Sequence, residues 1–76
     1  MTRPFAELIR DYEDDPTRWE VVRAETLPST NRRNRGGTSV QELLRNKMTG
    51  EEIVRHTLRR ANGSPFNPPH FRALWK

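Results

Sequence analysis

The stretch from Thr38 to Arg60 decides what this chain can fold into, because it reads either as a pair of helices or as a pair of strands. As helices, Ser39 with Glu42 and Thr49 with Glu52 fit the capping box. Val40, Leu43 and Leu44, then Ile53, Val54, Thr57 and Leu58, recur at helical spacing, and Asn62-Gly63 supplies a C-terminal stop. That would make a helix-turn-helix. As strands, Asn46 to Glu51 is a hairpin connection with Gly50 at its left-handed position, and Ala61 to Ser64 forms a second turn. The two turn signals are evenly spaced, each holds a glycine, and threonine or valine flanks them, which favours a meander.

The rest of the chain supplies one helix and its punctuation. Thr2 followed by Arg3-Pro4 marks a helix start, Phe5, Leu8, Ile9 and Tyr12 recur at helical spacing, and the pattern fails in Glu13 to Pro16. Arg18 to Leu27 contains Trp19, Val21, Val22 and Thr26, which suit a pleated surface, so it is expected as a strand that Pro28 ends. Ser29 to Gly37 is a polar, glycine-terminated stretch expected as a flexible exposed loop. From Pro65 to Lys76 the prolines forbid a regular helix before His70, and the aromatics are expected to dock this tail on the core. The expected fold is α+β, one small domain over residues 1–76, with an N-terminal helix packed on a small antiparallel β-meander. An all-α fold with a helix-turn-helix is the alternative.

Its core must be thin. Only 32% of the 76 residues are hydrophobic, as many are charged, and the mean hydropathy is −1.02. Large rings bury much area per residue, so Phe5, Tyr12, Trp19, Phe66, Phe71 and Trp75, spread along the chain, can knit its two ends together. In so polar a chain Trp19, Phe66 and Trp75 read as core rather than as surfaces for stacking bases.

Charge is segregated. Up to Glu25 there are seven acids against four arginines, a net −3, whereas the remainder carries ten cations against three acids, a net +7. Clustered guanidinium groups gain affinity by displacing condensed counterions from phosphate backbones, so the asymmetry points to a polyanionic partner. Arg32, Arg33 and Arg35 in the loop, with Arg59, Arg60 and Lys76, are the candidate phosphate contacts; a solvated connector is the plainer reading of the loop.

Several function classes lack support. With no cysteine there is no disulfide framework, thiolate metal site or thiol nucleophile. No Gly-x-Ser-x-Gly or phosphate-binding glycine-rich loop is present, and two histidines split by a proline-rich segment do not have metal-ligand spacing. No cofactor or metal is therefore expected. No apolar run spans a bilayer and the start lacks a secretory signal, so the expectation is a cytoplasmic protein, or one delivered to a target cell's cytoplasm by a route not encoded here.

What remains is Arg55-His56-Thr57 and His70-Phe71-Arg72. Metal-free RNA cleavage needs one group to take the proton of the ribose 2′-OH, another to protonate the leaving 5′-oxygen, and a fixed cation for the phosphate charge. Histidine titrates near neutrality and can do either proton transfer. In the strand reading His56 shares a face with Val54 and Leu58 while Arg55, Thr57 and Arg59 share the other. His56 is then either half of a catalytic pair or a half-buried structural imidazole, in which case the working face is Arg55-Thr57-Arg59 with His70 delivered by the tail.

The run TSVQELLRNKMTGEEIVRH from Thr38 to His56, followed by PPHFRALWK, resembles the C-terminal toxin domains of bacterial polymorphic and contact-dependent secreted toxins, many of them small basic nucleases of the RelE and colicin-D type. The resemblance covers somewhat over half the chain. It implies a helix packed on an antiparallel sheet and a ribonuclease, often acting on transfer RNA, that an immunity or antitoxin protein neutralises. His56, His70, Arg55 and Arg72 would inherit the active-site roles. The expected function is thus a metal-independent, toxin-like endoribonuclease acting on RNA. A non-catalytic helix-turn-helix DNA-binding module and a small phage-type inhibitor that covers another protein's surface are the alternatives.

Overall fold

A computed structural model of the chain describes residues 3–75, so the expectations placed on Thr2 and Lys76 lie outside the described residues. Thr38 to Arg60 forms strands. Helix α1 (Phe5–Asp14) leads through a short 3-10 turn at Pro16–Arg18 into β1 (Trp19–Pro28); β2 (Thr38–Asn46), β3 (Glu52–Arg59) and β4 (His70–Arg72) follow. The four strands lie side by side in the order of the sequence, all antiparallel. This is the α+β meander, and the helix-turn-helix is excluded.

The turns explain why strands win over helices. Asn46 is buried, its side-chain oxygen accepts the backbone N–H groups of Met48 and Thr49, and its own N–H donates to the carbonyl of Glu51 at 2.8 Å, which closes the β2–β3 hairpin. Gly50 takes the left-handed φ of +77° at low cost because it has no Cβ. Asn62 does similar work in the next turn, where its side chain accepts from Ser64 and Gly63 has φ +88°. Asparagine side chains that bond the backbone two residues on favour such turns over helix.

Strand alternation then gives the sheet two unlike faces. On the first, Trp19, Leu44 and Ile53 are buried with Leu8 of α1, and Phe5, Tyr12 and Phe71 pack against them. Tyr12 meets Trp19 and Phe71 edge-on, with ring centroids 6.3 and 5.9 Å apart. The helix is pinned at the hairpin end by ions: the Arg3 guanidinium reaches Glu51 and Asp11, each at 2.8 Å, and Arg18 reaches Asp11 and Asp14. Arg3 holds the Glu51 carboxyl down at about 2.

The second face is covered only in part. Trp75 lies 4.4 Å from the Arg23 guanidinium on β1, so the tail leaving β4 crosses β3 and β2 over the face that carries Leu43 and Val54, and Val54 is fully buried. β1 is the outer strand, exposed along its length after Trp19, and its pairing with β2 slips between Val21 and Arg23 so that Val22 bulges out. Among the described residues no helix is long and apolar enough to cross a membrane.

Candidate nucleic-acid interface

At the end of the sheet remote from the β2–β3 hairpin, the loop between β1 and β2 meets the turn after β3. The loop is anchored rather than loose, which corrects the flexible reading of Ser29 to Gly37. Asn34 is buried, and its side-chain amide donates to the carbonyl of Arg59 at 2.8 Å. Asn31 accepts the N–H of Arg33 and starts a 3-10 turn at Arg32–Asn34; Ser29 donates its N–H to the carbonyl of Gly37. Gly37 has to be glycine, since a Cβ there would lie 2.2 Å from the Arg59 carbonyl oxygen and 2.4 Å from the Asn34 amide nitrogen.

The anchored backbone turns its cations outward. Arg32, Arg33, Arg35, Arg59 and Arg60 are all exposed, and Arg33, Arg35 and Arg60 line one shallow hollow. Among the described residues none of these five has a carboxylate partner; the ion pairs of the protein use Arg3, Arg18, Arg45 and Arg55 instead. Arg59 donates to the carbonyl of Gly63, and Arg60 lies over the ring of Phe66 at 5.4 Å. Among the described residues, five arginines without a carboxylate partner are thus gathered at one end of a molecule 41 Å in its longest dimension.

The two histidines stand opposite one another. His56 of β3 pairs with His70 of β4, and the same row continues through Gln41 of β2 to Glu25 of β1. Directly opposed residues on one sheet face have Cβ atoms roughly 5 Å apart. Arg72, two residues on from His70, shares that face and donates to the Gln41 side-chain oxygen at 3.1 Å. Ser39 Oγ and His56 Nε2 share a hydrogen bond at 2.5 Å. Burial pushes the His56 pKa below the usual histidine value, and the nearby positive charges of Arg72 and His70 push it the same way. His56 is half-buried and His70 is exposed.

Arg55 does not belong to this group, contrary to its expected active-site role. Alternation turns it to the helix face, where its guanidinium donates to Glu42 at 2.6 Å and to the Tyr12 hydroxyl. The structure thus brings together His56, His70 and Arg72, and at the adjoining end Arg32, Arg33, Arg35, Arg59 and Arg60. Lys76 is not among the described residues. Gln41 goes unremarked in sequence and Ser39 reads there only as a helix cap, although the hairpin at Asn46 to Glu51 carries the signal: once Arg45 is set opposite Glu52, Gln41 falls opposite His56.

Of the three rings expected in the core, Trp19 is buried there, whereas Phe66, beside Arg60, and Trp75, on Arg23, are only half-buried and lie outside the core cluster. No family model matches the chain, and neither the curated proteins nor the solved structures contain a match to it.

Proposed function

We propose that the protein binds RNA through its arginine-bearing end and cleaves the backbone, without a metal ion, at the His56–His70 pair. The carrying observation is that pair itself: two imidazoles in one register position, with Arg72 beside them and an anchored cluster of carboxylate-free arginines at the same end of the sheet. Burial and Arg72 lower the pKa of His56, which favours its neutral form, the one that accepts a proton. It takes the 2′-OH proton as the 2′-oxygen attacks phosphorus. The bond from phosphorus to the 5′-oxygen breaks, and His70 gives that oxygen its proton. The products are a 2′,3′-cyclic phosphate and a 5′-hydroxyl, with Arg72 countering the charge that builds on the phosphate oxygens.

RNA incubated with the protein in excess chelator tests this. Cleavage by the wild type, lost in the His56→Ala, His70→Ala double variant and retained in Lys47→Ala, is the expected result. Uncut RNA, or equal cleavage by the double variant, overturns the catalytic reading. Cyclic-phosphate ends on the products are expected, and 3′-hydroxyl ends would overturn the mechanism.

A further inference from the structure

The second face ends in a groove that reaches from His56 to the start of the arginine loop. One step along the strands from the His56 row, Leu27, Ser39 and Leu58 lie in register across β1, β2 and β3. Leu27, Pro28 and Leu58 line it together with the polar residues Asn31, Ser39 and His56; the cavity volume is about 420 Å³. That lies inside the roughly 300–1,000 Å³ range of clefts that hold small organic groups. Leu27 is 54% exposed, so its side chain is open to contact at the groove.

We infer that this groove receives an unpaired nucleobase, so that the RNA is read as a single strand at the position next to the cleaved bond; the inference rests on the RNA reading above. Two observations choose this occupant over an apolar peptide. The lining residue Asn31 leads directly into Arg32 and Arg33, whose guanidinium groups have no carboxylate partner among the described residues, so the surroundings favour a polyanion. The groove's lining also mixes apolar Leu27, Pro28 and Leu58 with polar Ser29, Thr30 and Asn31, which suits a flat ring with a polar edge. A base held in a duplex keeps its faces stacked and its edge paired, and cannot enter. Base and phosphate contacts thus sit side by side, the first on the strands and the second on the loop.

Binding of 2′-O-methyl oligonucleotides, which cannot be cleaved through the 2′-oxygen, tests this by fluorescence anisotropy at several salt concentrations. The single strand is expected to bind about tenfold more tightly than its blunt duplex, the scale of one base contact. Leu27→Ser, an exposed position, is expected to remove most of that preference while leaving the salt dependence unchanged; Leu58→Ser, checked for folding by circular dichroism, is expected to do the same. An Arg32→Ala, Arg33→Ala variant is expected to weaken both forms alike and to flatten the salt dependence. Equal binding of strand and duplex by the wild type, or a preference that survives both leucine substitutions, overturns the groove assignment and leaves the arginine reading standing. Binding to neither form overturns both.

Discussion

The Asn34 side chain reaches across 25 residues of sequence to hold the carbonyl of Arg59 at 2.8 Å, and this one bond joins the two loops that carry the free arginines. Gly37 makes the approach feasible. Gly37→Ala is expected to cost about 3 kcal/mol, because backbone and a buried amide must both move aside. Gly50→Ala meets nothing within 4 Å and suffers only its left-handed φ, so about 1 kcal/mol is expected there. Urea denaturation of the two variants gives the comparison, and equal losses would count against the clamp.

Ile53 is completely buried where α1 crosses the sheet. Ile53→Ala is expected to lose about 3–4 kcal/mol, a large share of what a chain this size has. Its unfolding midpoint in urea should fall accordingly, while Leu74→Ala, at an exposed residue, should leave it nearly unchanged.

Arg55 and Glu42 form a half-buried ion pair under Tyr12. Arg55→Ala is expected to destabilise by about 1–2 kcal/mol, since Glu42 loses its partner. RNA binding per folded molecule should not change. A selective loss of binding or cleavage with unaltered stability would return Arg55 to the functional site.

Acid should weaken the helix anchor. Glu51 is held at about 2 and Asp11 is lowered too, both by Arg3, with Arg18 adding to the effect on Asp11. The folded state therefore binds fewer protons than the unfolded chain, and the stabilisation, complete above the ordinary carboxylate range, is lost as pH falls from about 4.5 towards 2. Thermal unfolding followed from pH 7 down to pH 2.5 should show the midpoint dropping through this window. Glu51→Gln should lower the midpoint at neutral pH and shrink the drop.

His56 should titrate below an ordinary histidine, and Arg72→Gln should raise its midpoint by removing a neighbouring positive charge. Proton NMR of the two imidazoles reads this with no substrate present. A midpoint unmoved by the substitution would separate Arg72 from the histidine pair.

Much of this arrangement is legible in the chain. The helix pattern of Phe5, Leu8 and Tyr12, the hairpin at Gly50 and the alternation separating His56 from Arg55 all follow from local rules. Two features are not local. Residues beyond Pro69 become β4 only because the exposed edge of β3 offers them partners, so the meeting of His56 with His70 depends on a pairing that no turn signal announces. Equally, STNRRNRGG reads as a loose polar loop until the Arg59 carbonyl is there to receive Asn34, a contact fixed by the completed sheet. The resemblance groups Arg55 with His56, whereas strand alternation sets the two on opposite faces.

The bulge at Val22 has a bearing on how copies of the molecule tolerate one another. β1 presents a ten-residue outer rim of backbone donors and acceptors, the geometry on which foreign strands accrete. The bulge at Val22 interrupts the regular spacing of that rim, and Glu20, Arg23 and Glu25 stand as charged gatekeepers around the break. Deleting Val22 would restore an even ladder and leave the rim without the break that guards it.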